Sequence, residues 1–135
     1  MKTSNEYLLL FRGTDWHKGL SAEQVQKVMN EWRQWFERLS AQGTVKGGHP
    51  LELQGRVVSG RQGQVVADGP FAEAKEAIGG YFMLQAADLD EATAIAKQCP
   101  GLEYGAIVEV RQIAAQCPLA CEMAEAAGQE VAVQA

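Results

Sequence analysis

Two helix-patterned segments alternate with strand-like runs along this chain. A hairpin interrupts the series, and turn residues separate the pieces. The order β-α-β-hairpin-β-α-β predicts an α+β domain of the split βαβ, or ferredoxin-like, type with an extra hairpin. Both helices then share one face of a mostly antiparallel sheet. The length of 135 residues fits one domain. A chain of this size buries roughly two-thirds of its unfolded surface, so it needs no staple.

The first strand is EYLLLFR, Glu6 to Arg12. Its unbroken apolar run implies burial on both faces and a central place in the sheet. GTDWHKGL is a loop. Ser21 then caps a helix, with Gln24 as its capping-box partner and Leu20 and Val25 placed as a hydrophobic staple. Val25, Val28, Met29, Trp32, Trp35, Phe36 and Leu39 follow helical spacing, so the aromatic stripe reads as core. Glu23 and Lys27 suit an i,i+4 pair on the wet face. Gly43 is a natural stop.

TVKGGHPLEL reads as a second strand broken at Gly47-Gly48. RVVSGRQGQVVA reads as a hairpin whose valines flank Gly60 to Gly63. In ADGPFAEAKEA, Gly69-Pro70 bends the chain and Pro70 can open a short helical turn. AIGGYFMLQA is another strand, with Ile78, Gly80, Phe82 and Leu84 alternating against Gly79, Tyr81, Met83 and Gln85. Gly79-Gly80 there permits a bulge or a close backbone approach. Asp88 opens a second helix with Glu91 as its box partner. Leu89, Ala92, Ile95, Ala96 and Cys99 form its apolar stripe, and Pro100 ends it. GAIVEVRQI is the last strand. The body is therefore residues 1–113. Residues 114–135 are an Ala-rich extension with room for a short helix from Pro118 to about Ala127.

A net charge of −5 gives no basic footprint, which argues against direct nucleic-acid binding. No apolar run approaches a membrane span, and the five apolar residues from Tyr7 to Phe11 are too few for a signal segment. The chain reads as cytoplasmic. Cys99, Cys117 and Cys121 make an odd count and read as reduced thiols. Cys117 and Cys121 alone do not make a zinc site, so no metal is expected. No phosphate-cradling, dinucleotide, zincin or nucleophile-elbow motif is present, and no cofactor is expected.

Helices on one sheet face leave the other uncovered. A large apolar face does not stay in water, and a second copy is the simplest cover, so a homodimer is expected. Candidate site residues follow from this frame. Asp68 is either a turn-capping carboxylate or a base at a pocket rim. His49, between Gly48 and Pro50, is either a loop residue or a proton shuttle that Asp68 could orient. His17 ranks behind it. Glu109 and Arg111 alternate with Val108 and Val110, so they face the open side. They form a cross-strand ion pair, or Arg111 clamps a carboxylate or phosphate ligand. Tyr81, on the open face of its strand, lines the same region.

The block DGPFAEAKEAIGGYFML together with the later GAIVEVRQI resembles the DGPF branch of the YciI-related (YCII) family over about residues 5–113. The resemblance implies a ferredoxin-like domain that dimerises sheet to sheet into an α/β barrel, with a pocket between sheet and partner. Some YciI-related members resemble small-molecule lyases or dehydrochlorinases with a His/Asp pair. The DGPF branch is often encoded beside alternative sigma factors. One departure is visible. The enzymatic branch places a His early in the first helix, where SAEQVQKVMNEW has none, so that pair does not carry over. The expectation is a homodimer that binds a small anionic or oxygenated metabolite through Asp68, His49, Glu109, Arg111 and Tyr81, with cofactor-free lyase or isomerase chemistry as its possible activity. The alternative is a non-catalytic regulatory module acting through protein contacts, such as a sigma-factor partner. It requires an exposed apolar patch away from the dimer interface.

Overall fold

The computed structural model describes residues 5–69 and 77–127. The strands are β1 (Asn5–Arg12), β2 (Val45–Pro50), β3 (Arg56–Ser59), β4 (Val65–Asp68), β5 (Ile78–Ala86) and β6 (Ile107–Gln112). The helices are α1 (Ala22–Ala41), α2 (Leu89–Ala96) and α3 (Pro118–Ala127). Four strands form one antiparallel sheet in the order β2-β5-β1-β6, and β3 and β4 form a separate two-stranded sheet. The class is α+β, and the strand order is compatible with a ferredoxin-like arrangement. The helical turn expected from Pro70 lies outside the described residues.

The central place of β1 follows from its side chains. Tyr7, Leu9 and Phe11 are buried on one face, whereas Leu8 and Leu10 on the other are half-buried. The buried face carries the core. Phe82, Leu84 and Ala86 of β5 meet Trp35 and Leu39 of α1 and Ala92 and Ala96 of α2, with Val108 and Val110 of β6 packed alongside. Both helices therefore cover the same face. Phe11 sits edge-on to Trp32 and to Phe82, with ring centroids 4.9 and 4.8 Å apart. Such pairs add about 0.5–1.5 kcal/mol each beyond burial.

Local chemistry holds the helix starts. The Gln24 amide N–H donates to Ser21 Oγ at 3.2 Å, and the Ser21 N–H donates back to Gln24 Oε1 at 2.9 Å. At α2 the Glu91 N–H donates to Asp88 Oδ1 at 2.8 Å. Glu91's own carboxylate accepts from the Ala87 N–H, one residue before the cap. Three local expectations shift. Lys27 approaches Glu31 at 3.9 Å instead of Glu23. Leu89 is 53% exposed, because α2 packs through its alanines and Ile95. The second strand is not broken at Gly47-Gly48: β2 runs on to Pro50, with a register shift between Val45 and Gly47.

The hairpin stands apart. Val58 pairs with Val66 across it, yet every residue of β3 and β4 is exposed. A lone two-stranded ribbon is marginally stable in water. Gly60 and Gly63 take positive φ at its tip, which a side chain would strain.

Candidate functional site

The C-terminal ends of β1 and β2, the start of β5 and one side of α1 surround a cleft of about 670 Å³. Its floor is aromatic, with Phe11, Trp32, Phe36 and Phe82 in the wall. Val25 and Met29 extend that wall toward the start of α1, and Pro50, Leu51 and Leu53 close the side beyond β2. The stripe on α1 thus does two jobs. Trp35 is 2% exposed, whereas Trp32 and Phe36 are half-buried and also form cleft wall. Seven apolar residues over about four turns is the usual width for a core-facing helix, so the spacing carried no sign of the second job.

Two glycines make the cleft wall possible. A Cβ on Gly48 would lie 2.6 Å from the Tyr81 carbonyl oxygen and 2.8 Å from Phe82 Cδ1. A Cβ on Gly80 would lie 2.9 Å from the His49 carbonyl oxygen. The close approach anticipated for Gly79-Gly80 therefore occurs at Gly80, against β2.

Trp16, in a 3-10 turn (Trp16–Gly19), stacks on Trp32 at 6.0 Å and on Tyr104 at 6.4 Å. This stack fixes the turn against α1 and places Trp16 and His17 in the cleft lining. Gly101 lies beneath Trp32, where a Cβ would come within 2.8 Å of the indole ring.

His49 and Tyr81 face each other across the β2-β5 pairing. His49 Nδ1 and Tyr81 Oη are 2.9 Å apart, and both residues line the cleft. With a neutral imidazole protonated on Nε2, the phenol donates to Nδ1. This arrangement can hold a proton between two groups.

Asp68 is elsewhere. It ends β4 on the exposed hairpin, opposite Arg56 in register. Among the described residues no hydrogen bond joins it to His49, whose partner is Tyr81. The hairpin belongs to a separate sheet, which is why chain order alone gave no sign of where Asp68 would lie.

The open sheet face carries the charged candidates. The register puts Tyr81, Leu10 and Glu109 in one row and Met83, Leu8 and Arg111 in the next. Glu109 accepts from Arg111 at 3.2 Å and from Arg12 of β1 at 3.4 Å. The cross-strand partner of Glu109 is thus Arg12, which the sequence did not single out. Two guanidiniums share one carboxylate, which leaves one positive charge over. Arg12 also lines the cleft, so this charge reaches its rim.

The thiols differ in setting. Cys99 is buried, and burial pushes its pKa from 9.0 up to about 11, against smaller lowering by backbone bonds from Gly101 and Leu102. Cys117 is exposed. With excess thiol reagent at pH 8, native protein is expected to leave Cys99 unmodified while Cys117 reacts. Rapid Cys99 labelling, read by mass spectrometry of peptides, would contradict its burial. A raised folded-state pKa stabilises fully below pH 9. That stability is lost as pH rises from 9 through about 11, because the unfolded thiol ionises first. The alkaline fall in the urea midpoint should shrink in Cys99→Ala.

Among the described residues no group of His, Cys, Asp or Glu could hold a metal ion, and no helix is long and apolar enough to cross a membrane. The sequence model of the YCII-related domain matches residues 6–116. The chain belongs to the YCII-related family. No curated protein matches it.

Proposed function

We propose that this YCII-related chain is a homodimeric small-molecule-binding protein of the DGPF type, with its ligand held in the cleft beside α1. The observation that carries this reading is the cleft itself. It holds about 670 Å³, within the usual range for ligand sites, and is lined by aromatic residues with a few polar groups among them. The dimer would close face to face through the open sheet into an α/β barrel. Half-buried Leu8, Leu10 and Met83 on that face support this, since such residues gain by being covered. The His49-Tyr81 pair lies where the cleft meets this face, and it suits cofactor-free proton transfer of the lyase or isomerase type. In this reading it takes the place of a His49-Asp68 pair.

Trp16 and Trp32 line the cleft, so ligand entry should change tryptophan fluorescence. Met29→Trp, at a 43% exposed wall position, should fill the site and abolish the change while leaving the far-UV spectrum intact. A monomer by light scattering at micromolar concentration would sink the dimer. In the dimer, Leu10→Arg should produce monomers.

The protein-contact reading has one observation in its favour. Val57, Val58, Val65 and Val66 on the hairpin are 50–62% exposed, and Leu119 and Met123 on α3 are 63% and 66% exposed. A regulatory partner such as a sigma factor would cover them. The double change Val58→Thr and Val66→Thr should then abolish partner capture and leave cleft binding unchanged.

A further inference from the structure

The cleft has a charge pattern opposite to that of the chain. The protein carries 17 acidic and 12 basic residues, for a net charge of −5. Yet the described lining includes Arg12, Arg33, His17 and His49, and no Asp or Glu. The two arginines sit differently. Arg12 shares Glu109 with Arg111, so its charge is only partly neutralised. Arg33 projects from the exposed side of α1 next to Trp32, with no ion-pair partner among the described residues. The same lining includes Phe11, Trp32, Phe36 and Phe82, a wall that suits a flat apolar body.

We infer that the cleft ligand is a carboxylate carried on a flat, aromatic-sized apolar body. Its ring lies against the aromatic wall, and its carboxylate is held at the rim by Arg33 and Arg12. A guanidinium meets a carboxylate in a bidentate fork, which fixes orientation as well as charge. One unpaired guanidinium and one half-paired one suit a monoanion. A phosphate-like dianion would need more cation than this rim offers in so acidic a chain. Neither Arg12 nor Arg33 stood among the residues that the sequence singled out, because each reaches the rim only through the packing of β1 against α1. The inference rests on the cleft being the binding site, and it adds the class of ligand.

The test uses the full chain and three probe sets: aryl carboxylates (2-naphthoate, 3-phenylpropionate, 4-hydroxybenzoate), their primary amides, and acetate. Binding is read by tryptophan fluorescence and by calorimetry. At least one carboxylate should bind about tenfold more tightly than its amide, and acetate should not bind measurably. Arg33→Gln, at an exposed position that should not disturb folding, should bring the carboxylate-to-amide ratio toward one, and Arg33→Lys should restore part of it. Met29→Trp should abolish all binding. If amides bind as well as carboxylates, or if Arg33→Gln leaves the ratio unchanged, the charge assignment falls while the binding cleft stands. If no probe binds, or if Met29→Trp leaves binding intact, the cleft assignment falls with it.

Discussion

Trp35→Ala is expected to destabilise the protein by about 3–5 kcal/mol, the usual cost of truncating a fully buried large aromatic residue. Trp35 is 2% exposed and packs on Phe11, Trp32 and Phe82, with ring centroids 6.1, 6.2 and 5.1 Å away. Its indole N–H also donates to Gln98 Oε1 at 3.1 Å, which ties α1 to the residues just after α2. Truncation therefore removes packing in the centre of the core and, among the described residues, leaves Gln98 Oε1 with the Arg38 guanidinium as its donor. Domains of this kind are stable by about 5–15 kcal/mol, so the variant should be largely unfolded in modest denaturant. Urea unfolding followed by far-UV circular dichroism gives the comparison. A loss below about 1 kcal/mol would mean that Trp35 is not in the core.

The second large effect concerns two adjacent glycines. Gly48→Ala should cost about 1–3 kcal/mol, whereas Gly47→Ala should cost little, because overpacking is felt only where nothing can yield. A Cβ on Gly48 meets a backbone oxygen of β5 at 2.6 Å, and a Cβ on Gly47 meets nothing within 4 Å. Backbone held in a sheet ladder cannot move aside without breaking its own bonds. The predicted consequence is local. The β2-β5 pairing loosens at the end that carries His49, and the cleft loses its wall there. Denaturant midpoints of the two variants, side by side, separate this steric cause from any general cost of alanine in a strand. Equal midpoints would remove it.

Most of the fold was legible because it is written in short-range pattern. The spacing from Val25 to Leu39, the Ser21-Gln24 box and the two-residue alternation of β5 each need only neighbours a turn or a strand pair away. Leu89 was misjudged for the opposite reason. Its place in the stripe was right by period, but α2 approaches the sheet through small residues, and only the packing distance shows that.

The candidate site was legible in part. Tyr81, Glu109 and Arg111 share one side of the sheet, as the period of β5 and β6 implied, and His49 of β2 pairs in register with Tyr81. Which of them touch was not. The Tyr81 partner of His49 depends on the β2-β5 register, and Arg12 reaches Glu109 through the β1-β6 register. A one-residue slip in either would turn those side chains to the other face. The position of Asp68 depended on something longer-ranged still, namely whether the hairpin joins the main sheet or stands off it.

By itself, then, the sequence determined the order and type of the elements, the helix starts and the faces that seek burial. These are set by steric propensity and by the hydrophobic period, both local. Only the tertiary structure decided that Asp68 ends a hairpin in a sheet of its own, and that half of the α1 stripe also lines a cleft. It also decided that the cleft gathers arginines in an acidic chain. Those outcomes depend on strand register and on how far one element stands from the next, and no short stretch of residues encodes a distance to a part of the chain that has yet to fold against it.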